Sequence, residues 1–121
     1  MKKILIVEDE KMLAQMYKDK LEIEGFKVFL AFSVKEGIEI AKKEKPDLIL
    51  LDILLPAENG LSFLERRNKE EDISQIPVIV FSNYQDQKAK KEALEKGVKE
   101  YLIKTDYTPK EIIEKIKRYL T

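Results

Sequence analysis

The chain of 121 residues is long enough to bury the core of one domain, and we expect a single domain over residues 1–121. It contains neither cysteine nor histidine, which excludes disulfides, zinc–thiolate sites and histidine-based acid–base catalysis. Lysine plus arginine equals aspartate plus glutamate, at 23 each, so the net charge gives no reason to expect direct binding to nucleic acid or to a membrane.

Short apolar runs alternate with amphipathic segments along the first half of the chain. The N-terminal apolar run is too short for a signal peptide or a membrane helix, so a cytoplasmic location is expected. A Ser33–Glu36 capping box predicts the start of a helix. The predicted elements of this half are a strand at Ile4–Val7, a helix over 11–24, a strand at Phe26–Ala31, a helix from Ser33 to about Glu44, and a strand at Leu48–Leu51.

The same alternation continues through the second half. A Pro56–Gly60 loop precedes a third helix, and a Thr108–Glu111 capping box with proline at the first helical position opens the last one. The predicted elements are a helix marked by Leu61, Phe63 and Leu64, a strand at Pro77–Phe81, a helix from about Asp86 to Lys96, a strand at Glu100–Ile103, and a helix that ends near Leu120.

Five β–α pairs of this kind predict an α/β fold in which a parallel sheet carries helices on both faces, joined by right-handed crossovers. Ligands of such sheets bind beyond the carboxyl ends of the strands. The residues that follow each strand are therefore the candidates for function. Asp47 flanks the third strand at its amino end and is interpreted as a turn residue, and the basic run 88–91 as a solvated helix face.

Polar or charged residues directly follow four of the five predicted strands. These are Glu8 and Asp9 after the first strand, Asp52 after the third, Ser82 after the fourth, and Lys104 after the fifth. Clustered carboxylates repel one another unless a cation lies among them, and oxygen ligands without histidine or cysteine favour Mg²⁺. A carboxylate beside a metal and a lysine can attack a phosphoryl group. The residue types thus predict a metal-assisted acyl-phosphate site and leave its purpose open.

Four motifs in this order make the sequence similar to a known family. ILIVEDE, LILLDILLPAENG, VIVFS and EYLIK resemble the motifs of the receiver domain of bacterial two-component response regulators, and the likeness covers the whole chain. The resemblance is to single-domain receivers of the chemotaxis-regulator kind. It implies a flavodoxin-like sheet with strand order 2-1-3-4-5. It also implies a phosphorylation-dependent signalling switch rather than an enzyme, with no catalysis beyond its own phosphorylation and dephosphorylation.

The resemblance also implies roles for individual residues. Asp52 would accept a phosphoryl group from a partner histidine kinase or histidine phosphotransfer protein, and Lys104 would hold that group. The implied Mg²⁺ ligands are Asp9, Asp52 and the backbone carbonyl of Leu54, with Glu8 acting through a water. Ser82 and Tyr101 would form a switch pair that changes the surface around the fourth and fifth strands and helices, where a downstream target protein binds. A monomer or a weak phosphorylation-dependent dimer is expected.

Three positions depart from the family pattern. The acidic pair is Glu8-Asp9 instead of two aspartates, and Asn83 stands where a small residue usually borders the phosphoryl access path. Thr105 follows Lys104 in place of a proline with a cis bond. Because a cis bond before a non-proline residue costs about 2.5–4 kcal/mol, the sequence leaves the geometry of this bond open.

Other functions fit some of the same residues. A phosphatase of the haloacid dehalogenase type also uses an aspartate nucleophile and Mg²⁺, but Leu54 stands where that family has a second aspartate. A binding scaffold that is independent of phosphorylation would need none of the site residues. A flavin carrier would need a phosphate-binding turn after the first strand, which is absent from the sequence. A stand-alone regulator and a receiver from a longer protein are both compatible with the sequence.

Overall fold

The computed structural model describes residues 1–121, and its elements alternate as the sequence predicts. The strands are β1 (Lys3–Val7), β2 (Lys27–Ala31), β3 (Leu48–Leu51), β4 (Val78–Ser82) and β5 (Glu100–Ile103). The helices are α1 (Lys11–Ile23), α2 (Val34–Glu44), α3 (Gly60–Asn68), α4 (Gln87–Glu95) and α5 (Pro109–Leu120), and a 3-10 turn covers Lys104–Asp106 between β5 and α5. None of the helices combines the length and apolar composition that a membrane span requires.

The five strands form one parallel sheet in the order β2-β1-β3-β4-β5, which confirms the predicted order 2-1-3-4-5. Every residue of β3 is buried, as expected for a central strand that is covered on both faces. Two apolar clusters form the core, one on each face of the sheet. Side chains from α2, α3 and α4 contribute to one cluster, and those from α1 and α5 to the other.

Local sequence signals account for the starts of α2, α3 and α5. The Ser33 hydroxyl accepts a hydrogen bond from the Glu36 N–H at 3.2 Å, and Thr108 and Glu111 form a reciprocal capping box at the start of α5. At α3, the Asn59 side chain accepts from the N–H groups of Leu61 and Ser62. These caps supply partners for backbone donors that the first turn of a helix leaves free.

Some boundaries differ from the predicted ones by a residue or more. Strand β4 begins after Pro77, because proline has no N–H to donate to the sheet, although its carbonyl still accepts from the Ile49 N–H at 2.9 Å. The same strand extends to Ser82, so the serine is its last residue and does not follow it. Strand β2 begins at Lys27 instead of Phe26, and the 3-10 turn after β5 was not predicted.

The register brings the carboxyl ends of four neighbouring strands together. Val7 of β1 pairs with Leu51 of β3, and Ser82 of β4 pairs with Ile103 of β5. The backbone pairing continues one step further, because the Asp52 N–H donates to the Val7 carbonyl at 3.0 Å. The polar residues that follow these strands are thereby fixed along one edge of the sheet.

Candidate functional site

Three carboxylates lie together at the carboxyl edge of the sheet. One side-chain oxygen each of Glu8, Asp9 and Asp52 lies within 4.8 Å of the other two. Glu8 and Asp52 are both only 5% exposed, whereas Asp9 is exposed to solvent. The Glu8 N–H donates to the Ala31 carbonyl at 2.9 Å, so a sheet hydrogen bond also fixes the start of this acidic segment. The structure thus brings together the acids that follow β1 and β3 in the sequence.

A single lysine ammonium group reaches into the acidic cluster. Lys104 Nζ donates to Asp52 Oδ2 at 2.9 Å and also to Glu8 Oε1, while Glu10 Oε2 lies 4.0 Å away. The Lys104 side chain is 10% exposed, so these charge-assisted bonds form in a largely buried setting. One positive charge therefore faces several negative charges, and the site as a whole carries an excess of negative charge.

The pKa values of the buried groups follow this arrangement. Burial raises the pKa of Glu8 above its usual range, and the neighbouring charge of Asp52 adds to that rise, although hydrogen bonds from Lys104 and from the Glu10 N–H oppose it. Burial alone would lower the pKa of Lys104, but its hydrogen bonds to Glu8 and Asp52 outweigh burial and raise the pKa. The lysine therefore remains charged.

The donor set of this cluster fits a hard divalent cation. All three side chains offer carboxylate oxygens, and the chain contains no histidine or cysteine that would favour a softer metal. The backbone of Leu54 lies beside the cluster, because its N–H donates to Asp52 Oδ1 at 3.1 Å. The acidic cluster of Glu8, Asp9 and Asp52 could thus hold a metal ion, with the excess negative charge as the driving force.

The loop after β3 packs directly against the aspartate that ends this strand. Gly60, the first residue of α3, donates its N–H to the Ile53 carbonyl at 2.8 Å. A Cβ atom at Gly60 would lie 2.6 Å from the Asp52 carbonyl oxygen and 2.9 Å from Ile53 Cα, distances too short for any side chain. The glycine is therefore required for the helix to approach the strand end and to keep Asp52 in place.

Ser82 and Tyr101 are linked through one backbone segment. Ser82 is fully buried, and its Oγ accepts a hydrogen bond from the Tyr84 N–H at 3.2 Å. The Tyr101 ring is buried, and its hydroxyl donates to the Tyr84 carbonyl at 2.6 Å. The two side chains of the predicted switch pair thus contact the same residue of the loop between β4 and α4.

The structure gives the geometry of the Lys104–Thr105 peptide bond, which the sequence did not determine. No peptide bond in the chain is cis, so the Lys104–Thr105 bond is trans. Lys104 and Thr105 begin the 3-10 turn that leads from β5 toward α5. The lysine therefore projects into the acidic cluster from the first residue of this turn.

Sequence reasoning missed three contributors to the site. Glu10 lies near the ammonium group of Lys104, Gly60 allows the close approach of α3, and the Tyr84 backbone connects Ser82 with Tyr101. A third consecutive acidic residue after β1 was a visible signal for Glu10. The contribution of Tyr84 had no such signal, since it is made by the backbone and is independent of the side-chain type.

This fold and this site together define a receiver-type domain, a parallel sheet of order 2-1-3-4-5 with acids and a lysine at its carboxyl edge. Residues 4–117 match the family model of the response regulator receiver domain. The chain belongs to the response regulator receiver domain family. Such domains are the signalling modules of two-component systems and not conventional enzymes.

Relatives with descriptive names support this membership. The chain is 32% identical over 119 residues to the phosphate regulon transcriptional regulatory protein PhoB of Pseudomonas aeruginosa, covering 98% of this chain but 52% of the relative. It is 31% identical over 119 residues to the polar-differentiation response regulator DivK of Brucella ovis, covering 98% of this chain and 96% of the relative. The chain therefore spans about half the length of the first protein and nearly all of the second.

A solved structure confirms the architecture. The CheY-like response regulator receiver domain protein from Methanospirillum hungatei superposes with a TM-score of 0.90 at 32% identity, covering 99% of this chain and 94% of that protein. The predicted fold class, an α/β flavodoxin-like sheet with helices on both faces, is confirmed. The family match gives no support to the haloacid dehalogenase alternative.

Proposed function

We propose that this chain is a phosphorylation-dependent signalling switch in which Asp52 accepts a phosphoryl group from a partner histidine kinase or histidine phosphotransfer protein. One observation carries the proposal. Asp52 is buried at the end of a central strand, 2.9 Å from the Lys104 ammonium group and close to two further carboxylates. A purely structural aspartate would not need to be gathered with like charges, which raise the cost of burying it.

The proposed step is a transfer between two side chains. A carboxylate oxygen of Asp52 forms a bond to phosphorus while the phosphorus–nitrogen bond of the donor's phosphohistidine breaks, and the histidine nitrogen leaves with the electron pair. Lys104 holds one of the phosphoryl oxygens by a charge-assisted hydrogen bond. The rigid sheet hydrogen bond at the Asp52 N–H keeps the nucleophile aimed at the donor during this step.

A magnesium ion belongs to the same proposal. Asp9, Asp52 and the backbone carbonyl of Leu54 would hold it directly, and Glu8 through a water. The support is the close group of three carboxylates with a single compensating lysine. When bound, the ion supplies positive charge that neutralises the oxygens of the phosphoryl group.

We propose that Ser82 and Tyr101 transmit the change. The phosphoryl group would draw the Ser82 hydroxyl toward Asp52 and away from the Tyr84 N–H, and the Tyr84 segment carries the carbonyl that holds Tyr101. The switch requires two states that differ by a few kcal/mol, with phosphorylation supplying the difference. The affected surface is formed by β4, β5, α4 and α5, and a downstream target protein would bind there.

The remaining expectations from the sequence are part of this proposal. Residues 1–121 act as one receiver domain located in the cytoplasm, without direct contact to nucleic acid or membrane. The chain is a monomer or a weak dimer that forms on phosphorylation. A scaffold independent of phosphorylation is the second candidate, and the buried acids and lysine argue against it, because such a function needs none of them.

A labelling experiment tests the proposal. The protein is incubated with a small phosphodonor such as acetyl phosphate and Mg²⁺, and its intact mass is measured. We expect one added phosphoryl group in wild type and none in Asp52→Asn. Asp47→Asn, which changes the aspartate at the opposite end of β3, serves as the matched control and should be labelled like wild type. Undiminished labelling of Asp52→Asn contradicts the assignment, and an unlabelled wild type favours the scaffold.

A further inference from the structure

Asn83 and Thr105, both exposed to solvent, are joined by a hydrogen bond at the carboxyl edge of the sheet. Asn83 follows the last residue of β4, and Thr105 is the second residue of the 3-10 turn after β5. Asn83 Oδ1 accepts a hydrogen bond from the Thr105 N–H at 3.2 Å. Two of the three positions that depart from the family pattern are thus hydrogen-bonded to each other.

The local backbone explains why Thr105 needs such a partner. The ladder between β4 and β5 ends at the pair Ser82 and Ile103, so the next N–H groups have no strand to bond with. The first N–H groups of a helical turn also lack partners within the turn, and Ile103 provides no side-chain cap. The Asn83 amide therefore caps this turn from a neighbouring element and extends the link between the two strands beyond its backbone end.

The two partners of this hydrogen bond directly follow two predicted site residues, Ser82 and Lys104, in the chain. Asn83 directly follows Ser82, and the N–H that it holds belongs to the peptide bond that directly follows Lys104. The lysine must span from this turn to Asp52 and Glu8, so a shift of the turn moves its ammonium group relative to both carboxylates. A hydrogen bond that fixes the turn consequently fixes where the ammonium group can lie.

We propose that Asn83 is a positioning residue for phosphoryl transfer, because its side-chain oxygen holds the turn that places Lys104 beside Asp52. The inference rests on the proposed function, since it assigns Asn83 to the same site. It differs from a role in which the bulk of Asn83 merely narrows the access path. In that case the size of the side chain would matter, and its hydrogen-bonding oxygen would not.

Three variants at position 83 separate these two roles. Asn83→Leu keeps the size and branching of the side chain but removes the acceptor, Asn83→Ala removes both, and Asn83→Asp keeps the acceptor. The first readout is the hydrogen exchange of the Thr105 amide, measured by NMR without phosphodonor or metal. We expect faster exchange in the leucine and alanine variants and wild-type protection in the aspartate variant. Equal protection in all four proteins would show that the bond does not hold the turn.

The second readout is the rate constant of Asp52 labelling at saturating phosphodonor and Mg²⁺. The loss of one neutral hydrogen bond corresponds to a decrease of about two- to tenfold, which we expect for Asn83→Leu. If bulk alone matters, the leucine variant labels like wild type and the alanine variant labels faster, and the proposal is wrong. The melting temperature is recorded in parallel, because slower labelling by a variant that stays folded at the assay temperature cannot be caused by a general loss of stability.

A double-mutant cycle provides the sharpest test. Thr105→Pro removes the N–H donor, and NMR first verifies that the peptide bond after Lys104 stays trans in this background, as it is in wild type. Asn83→Leu should then have no further effect on labelling there. Thr105→Ala keeps the N–H and is the matched background in which the leucine effect should persist. An equal leucine effect in both backgrounds overturns the proposal. Absence of labelling in every protein, including wild type, instead overturns the proposed function and with it the role in transfer, whatever the exchange data show.

Discussion

Two aspartates flank strand β3, and the protein surrounds them in different ways. At the amino end, Asp47 accepts a hydrogen bond from the Lys3 N–H at 2.8 Å, and its own N–H donates to the Lys3 carbonyl. At the carboxyl end, Asp52 is buried among other acids and shares one lysine with Glu8. The amino edge thus uses a carboxylate to complete backbone hydrogen bonding, whereas the carboxyl edge collects more negative charge than it compensates.

The comparison shows that one residue type completes backbone hydrogen bonding at one edge and belongs to an uncompensated acidic cluster at the other. Completed hydrogen bonds lower the free energy of the folded state, but they leave no free capacity for a ligand. An uncompensated cluster raises that free energy and is relieved by a cation or by the removal of a charge. Changes at the two edges should therefore have different sizes and, in one case, opposite signs.

The largest effect is expected for the lysine at the carboxyl edge. Lys104→Met leaves two buried carboxylates without their cation, and breaking such a buried pair costs about 3 kcal/mol of unfolding free energy in the absence of metal. Mg²⁺ should restore part of this loss, because it supplies the missing positive charge. Urea denaturation with and without Mg²⁺ measures both quantities.

The matched control is a lysine at the amino edge of the sheet. Lys115 Nζ lies 2.9 Å from Glu100, the first residue of β5, and both side chains are about a quarter exposed. Lys115→Met should cost less than about 1 kcal/mol, as is usual for ion pairs in contact with water, and should not respond to Mg²⁺. Equal losses in the two variants would refute the difference between the edges.

Glycine substitutions should give the next largest effect. Gly60→Ala places a methyl group against the backbone of Asp52 and Ile53, which cannot move aside like a side chain, and we expect a loss of about 2 kcal/mol. Gly25, near the amino edge, has a φ of +99° and no atom within 4 Å of an added Cβ, so Gly25→Ala should cost only about 1 kcal/mol.

Labelling separates these two variants further. Gly60→Ala displaces Asp52 and should slow its phosphorylation, whereas Gly25→Ala should be labelled at the wild-type rate. Thermal denaturation and intact-mass kinetics on the same samples provide the comparison. A slower labelling of Gly25→Ala would mean that general stability, and not the placement of Asp52, sets the rate.

Substitutions of the two aspartates should change the unfolding free energy with opposite signs. Asp52→Asn removes one of the excess charges and should raise the unfolding free energy of the metal-free protein by about 1 kcal/mol. Asp47→Ala removes the acceptor for the Lys3 N–H and should lower it by about 1 kcal/mol. Metal should stabilise Asp52→Asn less than wild type. A destabilised Asp52→Asn would mean that the bond to Lys104 outweighs the repulsion.

The smallest effect concerns two tyrosines whose pKa values are both raised to about 12. Burial is the main cause for both, but the Tyr101 hydroxyl donates to the neutral Tyr84 carbonyl, whereas that of Tyr119 donates to the Glu100 carboxylate. Since each pKa is raised in the folded state, stability should be complete below pH 10, the usual tyrosine value, and should decrease as the pH rises toward 12.

Ultraviolet titration of phenolate formation tests this pair. Glu100→Gln removes the charge beside Tyr119 and should lower its pKa only in part, because the contribution of burial remains, while the pKa of Tyr101 stays high. Tyr101→Phe and Tyr119→Phe assign the two transitions. A lower pKa of Tyr101 in Glu100→Gln would contradict these contacts, because the Tyr101 hydroxyl donates to the Tyr84 carbonyl and not to Glu100.

The sequence was sufficient to find candidate site residues whose location depends only on their position after a strand. Asp52, Ser82 and Lys104 were found because apolar runs end at or beside them, and parallel strands bring such ends to one edge. Their roles and that of Tyr101 stay predictions. The strand order came from the resemblance, since alternation alone defines a parallel sheet but not which strand lies at its edge.

The sequence was insufficient where function depends on loop conformation. Gly60 reads as a loop glycine, and only the three-dimensional structure shows that α3 needs it to pass close to Asp52. The contact between Asn83 and Thr105 joins residues 22 positions apart through a side chain, a relation that no local pattern encodes. The boundary differences at Pro77 and Ser82 reflect hydrogen bonding at strand ends, which the apolar pattern does not report.

The Tyr84 segment, which bonds to Ser82 through its N–H and to Tyr101 through its carbonyl, has a thermodynamic consequence. Phosphorylation of Asp52 could change the affinity of a target protein for the surface around Tyr101. In that case, reciprocity requires the bound target to change the affinity of the acidic site for a phosphoryl mimic by the same factor. A bound target would then act as an effector of the acidic site from outside it. The affinity of the acidic site for a phosphoryl group would then depend on which target protein is bound.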